Sequence, residues 1–312
     1  MRIAFLFPGQ GSQYIGMGKE LCESFHPARI AYEEASDALG MDISRLCFEG
    51  PEEKLLLTEN TQPAILGTSI AALRVINEET GIAPAVVAGH SVGEYSALVA
   101  AGAMAFTDAI KTVRLRGRFM QEAVPEGEGS MAALLGIDKE AAEKICGEVQ
   151  GKTEKVVELA NLNSPKQVVI SGHSEAIEAA MELARKNGAK KAVKLNVSAP
   201  FHSSLIKPAG ERLKEVLMDI KFETPLYPII ANVDAELNSD KNKLVDLLTR
   251  QVSSPVKWED SMRRLREIEI EFALEVGPGR VLSSLLRWID REIKTSNVED
   301  VASLKKLTEL QT

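Results

Sequence analysis

A chain of 312 residues exceeds the usual size of a single hydrophobic core, about 250 to 300 residues, so one large domain with a smaller inserted or appended one is expected. Hydrophobic residues at 45% and charged residues at 26%, with both signs mixed, exclude a largely disordered chain, and a formal charge of −8 argues against nucleic acid or a membrane surface as partner. Cys22, Cys47 and Cys146 lie far apart with no C-x-x-C spacing, which speaks against a disulfide framework or a zinc site and favours a reducing cytoplasm.

The apolar run from Ile3 to Phe7 stops at Pro8-Gly9, too short for a signal peptide, and reads as a first buried strand. No apolar segment of about 20 residues occurs, so no membrane span is expected. Up to about Val124, strands (3–7, 85–88) alternate with helical segments (about 27–39, 68–80, 93–101 and 108–122), the pattern of an α/β unit with a parallel sheet. Pro125-Glu126-Gly127-Glu128-Gly129 is a linker by composition. Strand 131–137, helix 138–149, strands 156–162 and 167–171, helix 174–187 and strand 190–197 then follow in β-α-β-β-α-β order, the split βαβ unit of ferredoxin-like domains. The chain returns at Ser198-Ala199-Pro200-Phe201-His202, with helix 204–218, strand 227–231, helices 241–250 and 258–267, strand 271–276 and helix 280–290. The expectation is an α/β, hydrolase-like catalytic subdomain over 1–125 and 198–312, interrupted by a ferredoxin-like subdomain over 126–197. Site residues on both sides of the insert would face a cleft between the two.

Gly89-His90-Ser91-Val92-Gly93 is a G-x-S-x-G pentapeptide between the β-branched run Val86-Val87 and the helix-forming stretch that starts at Glu94. A serine on a sharp strand-to-helix turn needs small residues on both sides so that neighbouring backbones can pass. Such a turn presents Ser91 Oγ outside the sheet and aims the Val92 amide at the place where an oxyanion would form. The pentapeptide alone also fits an ordinary βα loop, and it is the strand before and helix after it that favour a nucleophile.

A serine nucleophile needs a base, and the chain has only four histidines. His90 sits inside the turn, where its direction makes reach to Oγ improbable and a supporting role natural. His26 and His173 precede helices, with Ser174 as a possible N-cap. His202 lies in a proline-preceded loop where the chain re-enters the outer unit, a position open to a catalytic base or to a structural histidine. On helix 108–122, Ala109, Ile110, Val113, Gly117 and Met120 share one face at ~100° per residue, and Arg116 falls on that same apolar face. A guanidinium there requires an anion or acceptors, met either by a buried Asp or Glu or by a substrate carboxylate held through two parallel bonds. The loop Pro8-Gly9-Gln10-Gly11-Ser12-Gln13 has glycines to expose backbone amides, but Tyr14 stands where a dinucleotide fingerprint needs glycine. Phe201, next to His202, is placed either to wall the space beside that histidine or to pack behind the loop.

Taken in order, the Pro8-to-Gln13 loop, Gly89-His90-Ser91-Val92-Gly93-Glu94-Tyr95-Ser96, Arg114-Leu115-Arg116-Gly117, Asn161-Leu162-Asn163-Ser164-Pro165, Pro200-Phe201-His202-Ser203, Arg250-Gln251 and Glu275-Val276-Gly277-Pro278-Gly279 resemble the malonyl-CoA:acyl carrier protein transacylase family. The resemblance implies an S-malonyltransferase in which Ser91 is acylated by the malonyl thioester and His202 is general base and acid. It further implies that Arg116 binds the malonyl carboxylate, that the amides of Gln10 and Val92 form the oxyanion hole, and that the Gln251 backbone carbonyl orients the histidine in place of a triad acid. Phenylalanine before the histidine accompanies malonyl selection in related acyltransferase domains, which gives Phe201 a substrate-selecting role. Malonyl-CoA as substrate, acyl carrier protein as partner, no metal or other cofactor, fatty acid synthesis as context, a monomer and a cytoplasmic location complete the expectation. The family's carrier is acidic, so Lys186, Lys190, Lys191, Lys194, Arg280 and Arg287 are candidates for contacting it. A serine thioesterase or esterase, a discrete acyltransferase of a polyketide pathway, and a docking module without acylation are the competing readings.

Overall fold

A computed structural model describes residues 2–197 and 199–310. It holds two sheets. The chain opens with β1 (Ile3–Phe7), then packs α1 (Lys19–Ser24), α2 (His26–Leu39), α3 (Ile43–Glu49), α4 (Glu52–Leu55) and the long α5 (Thr58–Thr80) before β2 (Val86–Gly89), α6 (Gly93–Ala100) and α7 (Phe106–Glu122). The insert comprises β3 (Gly129–Leu135), α8 (Lys139–Thr153), β4 (Val157–Ser164), β5 (Gln167–His173), α9 (Ser174–Lys186) and β6 (Lys191–Lys194). There follow α10 (Lys207–Met218), β7 (Ile229–Ile230), β8 (Leu237–Asn238), α11 (Leu244–Val252), α12 (Trp258–Glu267), β9 (Phe272–Val276), α13 (Val281–Ile289), β10 (Lys294–Val298) and α14 (Val301–Glu309).

The larger sheet has the order β10-β9-β1-β2-β7-β8, parallel throughout except for the closing β7–β8 pair. A central parallel strand is buried on both faces and therefore reads as an unbroken apolar run. In β1, Ile3, Phe5 and Phe7 join the core on one side while Ala4 and Leu6 join the core on the other, which is the two-residue period of a strand. The smaller sheet is antiparallel with the order β4-β5-β3-β6. Ala132, Leu134, Val168 and Ile170 pack with α8 and α9, whereas Met131 and Val169, pointing the other way, belong to the core of the large unit together with Phe201. Backbone bonds from Leu162 N to Val256 O and from Val256 N to Ala160 O, both 2.9 Å, stitch the insert to the outer chain.

Several elements differ from the sequence reading. Helix α5 begins at Thr58 rather than near 68 and carries Pro63 inside it. It is buried on nearly every side, so it lacks the polar stripe that marks a helix start. Strand β10 and helix α14 were not expected from the sequence at all. β10 is a half-exposed edge strand whose Lys294-Thr295-Ser296-Asn297 carries little apolar signal, although Asp300 and Ser303 form a capping box at the start of α14. Ser174 is the first residue of α9 and its hydroxyl donates to Gly127 O at 2.7 Å, so it does not act as the N-cap. Ser198, the expected start of the returning chain, and the last two positions, 311 and 312, lie outside the described residues.

Candidate active site

The pentapeptide forms the sharp turn between β2 and α6. A Cβ on Gly89 would lie 1.9 Å from Gly93 O, and one on Gly93 would lie 2.2 Å from Phe7 O, so both glycines are required by close backbone approach. Ser91 has φ 52°, a left-handed conformation unfavourable for a residue with a side chain. Asn232, just past β7, holds it there: Ser91 N donates to Asn232 Oδ1 at 2.7 Å and Asn232 Nδ2 donates to Gly89 O at 2.6 Å. His90 points away from the nucleophile. Its Nε2 lies 2.9 Å from Asn163 Oδ1 on β4, and its ring meets Trp258 edge-on. Gly9 packs so tightly on the turn that a Cβ would come 2.5 Å from His90 O, which brings the loop carrying Gln10 against the elbow. The amides of Gln10 and Val92 have no protein acceptor among the described residues.

His202 Nε2 lies 2.8 Å from Ser91 Oγ, and His202 Nδ1 lies 2.9 Å from the backbone oxygen of Gln251 on α11. A carbonyl only accepts, so Nδ1 carries the proton and Nε2 presents a lone pair to the serine hydroxyl. Burial, reinforced by the Arg116 charge and opposed by the Gln251 carbonyl, pushes the imidazole down to about 3, which keeps it neutral and able to accept a proton at neutral pH. The loop that carries it has help from the insert: Glu158 on β4 accepts from Ser204 N at 2.7 Å and from Ser204 Oγ at 2.9 Å.

Arg116 on α7 is 1% exposed, as its place on the apolar face implies. Its Nη1 donates to Gln62 Oε1 at 2.9 Å, and its Nη2 donates to Gln251 Oε1 at 2.9 Å and to Ser91 Oγ at 3.1 Å. None of these acceptors is an anion. Nε has no hydrogen-bond partner among the described residues, and Cζ stands 5.8 Å from the centre of the Tyr95 ring. Burial lowers the guanidinium's proton affinity, but an arginine retains its charge inside proteins. The nearest buried acid, Glu94, is engaged elsewhere, accepting from Gln251 Nε2 at 2.7 Å and from Asn232 N at 3.0 Å. A buried cation with neutral partners, 3.1 Å from the Ser91 hydroxyl, has the chemistry to receive an anionic group.

Ser91, His202, Arg116 and Gln251 are thus joined by direct hydrogen bonds, with Val92 and Gln10 on adjoining turns. Phe201 is 6% exposed and packs in the core shared by the large unit and the insert. Sequence reasoning gave no role to Gln62, Asn232 or Glu94. Glu94 was visible as the residue after the pentapeptide, whereas Asn232 and Gln62 stand in segments with no motif and reach the site only through folding. Among the described residues no group of three or more His, Cys, Asp and Glu could hold a metal, and no helix is long and apolar enough to cross a membrane.

The arrangement can run acyl transfer: a serine with a neutral base, free amides beside it and a cation for an acid group on the acyl chain. Comparison with known proteins bears on the chemistry. A model of the acyl transferase domain matches residues 4–310. The malonyl CoA-acyl carrier protein transacylase of Bacillus subtilis strain 168 is 50% identical, over 97% of this chain and 95% of that protein, and the Escherichia coli K12 protein of the same name is 43% identical over 99% of each. A malonyl-transacylase solved in complex with a type II PKS acyl-carrier protein superposes with a TM-score of 0.97 at 44% identity, covering 99% of this chain and 100% of that one. With matches of this length and identity, the chain belongs to the acyl transferase family, among its malonyl CoA-acyl carrier protein transacylases.

Proposed function

We propose that the protein transfers a malonyl group from malonyl-CoA to the phosphopantetheine thiol of acyl carrier protein through a malonyl ester on Ser91. In the first half-reaction His202 Nε2 takes the Ser91 proton as Oγ adds to the thioester carbonyl, and the amides of Gln10 and Val92 receive the developing oxyanion. The tetrahedral adduct collapses, the C–S bond breaks, and the CoA sulfur leaves with the proton from His202. The carrier thiol then returns a proton to His202, attacks the ester and regenerates Ser91, a ping-pong cycle. Gln251 holds His202 through its backbone oxygen, and the malonyl carboxylate sits on Arg116. Phe201 walls the acyl pocket near the malonyl α-carbon.

The observation that carries this reading is a buried guanidinium beside the serine whose hydrogen-bond partners among the described residues are all neutral. A simple esterase has no use for a buried cation next to its serine, and its usual third acid is missing here, since His202 Nδ1 meets a carbonyl. Gln62 and Gln251 leave Arg116 free to clamp a carboxylate and keep the acyl ester away from water. The malonyl group serves chain extension in fatty acid synthesis. We infer the same cytoplasmic, monomeric enzyme that the sequence implied, without metal or other cofactor. Its architecture is read as a hydrolase-like catalytic subdomain over 1–125 and 198–312 carrying a ferredoxin-like insert over 126–197. The acidic carrier is met by basic side chains, among them Lys190, which lines an exposed groove of about 420 Å3 together with Leu135 and Trp288. The likeness to the transacylase solved with a type II PKS carrier favours a polyketide context as the second reading. Presenting malonyl-enzyme with carriers of the two pathways separates them: faster discharge by the fatty acid carrier supports the first, the reverse supports the second.

A further inference from the structure

Glu94 is 2% exposed and touches neither Ser91 Oγ, His202 nor Arg116 through any hydrogen bond among the described residues, yet both supports of the site meet on one of its oxygens. The first support runs from Glu94 Oε2 to Asn232 N at 3.0 Å, and from the Asn232 side chain to Ser91 N at 2.7 Å. The second runs from Glu94 Oε2 to Gln251 Nε2 at 2.7 Å, and Gln251 in turn accepts from His202 through its backbone and from Arg116 through Oε1.

The two ends of a carboxamide are nearly the same shape, so only its neighbours decide which way it faces. On one side of Gln251 stands Arg116, a group that only donates. On the other stand the Glu94 carboxylate and Ser91 O, which accepts from Gln251 Nε2 at 3.0 Å. Turning the carboxamide over would set donor against donor at Arg116 and acceptor against two acceptors at the other end, leaving buried polar groups unpaired. The elbow also keeps an acid where burial opposes its charge: desolvation pushes Glu94 up to about 7, with Asp234 adding to the rise and Gln251, Asn232 and Arg116 opposing it.

We propose that Glu94 is a positioning residue for malonyl transfer, fixing the orientation of the Gln251 carboxamide so that Arg116 is aimed at the acyl carboxylate. The inference rests on the malonyl-transfer reading. Its reach is through Gln251, which gives it a signature that a structural role lacks.

The test measures acylation by malonyl-CoA and by acetyl-CoA for the wild type, Glu94→Gln, Glu94→Asp and Gln251→Ala, and for Glu94→Gln combined with Gln251→Ala, each checked for folding by thermal melting. Glu94→Gln lets the facing carboxamide turn over, and Glu94→Asp withdraws the acceptor by one methylene. Both should lower kcat/KM for malonyl-CoA by roughly tenfold while acetyl transfer falls much less, in keeping with couplings inside one hydrogen-bonded network. In the Gln251→Ala background, Glu94→Gln should leave the malonyl-to-acetyl ratio within about twofold of its parent. Equal losses for the two thioesters, or an undiminished effect without Gln251, would overturn the proposal. Wild-type protein that takes up no malonyl group would instead sink the functional reading itself.

Discussion

At the scale of single residues, the site is a chain of unequal partners in which each group has one free capacity. The Ser91 hydroxyl donates to His202 and accepts from Arg116, so the guanidinium favours negative charge on Oγ. Ser91→Ala should abolish acylation, and His202→Ala should cut it by about 10³-fold or more while leaving a trace, because oxyanion stabilisation survives loss of the base. Malonylation of a peptide without Ser91, read by mass spectrometry, would contradict the first. Arg116→Ala removes the two-pronged anion partner but nothing that an acetyl group uses, so the preference for malonyl over acetyl should collapse; equal losses would make Arg116 structural. His202, pushed down to about 3 by burial, should show a constant imidazole NMR shift from pH 8 to about pH 5, and a midpoint near 6.5 would contradict its burial beside the Arg116 charge.

At the scale of elements, what the sequence disclosed followed local chemistry. The elbow was legible because a glycine bracket, an apolar strand and a helix former are all adjacent in the chain. Arg116 was legible because a helix displays its period and a charge on the wrong face stands out. Asn232 and Gln62 were not, because each acts over a contact 141 or 54 residues away in sequence and has no local signature. Phe201 lies between: its neighbour His202 marked it, but its 6% exposure fits both a pocket wall and core packing. Competition of malonyl-CoA with methylmalonyl-CoA decides. A folded Phe201→Ser variant should accept the methyl branch more readily, within the ~1 to 3 kcal/mol that one methyl is worth, and an unchanged ratio rules the pocket wall out.

At the scale of the whole molecule, the smaller sheet is packed into the rest of the chain rather than merely joined to it. Asn163 braces His90, Glu158 caps the segment after His202, and Met131 and Val169 enter the main core. Periodicity disclosed the β-α-β-β-α-β order of the elements around the smaller sheet, but not that one face of that sheet packs in the larger core, since a buried strand looks alike whichever core it joins. Buried ionisable groups also make stability depend on pH with opposed signs. His202, lowered from 6.5 to about 3, favours the fold above pH 6.5 and loses that contribution as pH falls towards 3. Glu94, raised from 4.5 to about 7, contributes fully below pH 4.5 and loses its contribution as pH rises through 7. Denaturant titrations should therefore show Glu94→Gln gaining stability relative to wild type as pH climbs from 4.5 to 7, and a constant difference across that range would contradict the burial of the acid.

The central claim is a malonyl ester on Ser91 that waits for a thiol. Intact-protein mass spectrometry after incubation with malonyl-CoA, followed by addition of carrier protein bearing its phosphopantetheine arm, reads each step directly. The account predicts one malonyl adduct that maps to Ser91, persists in buffer and disappears as malonyl-carrier forms. An adduct that vanishes in water without the carrier, or no adduct at all, would contradict it.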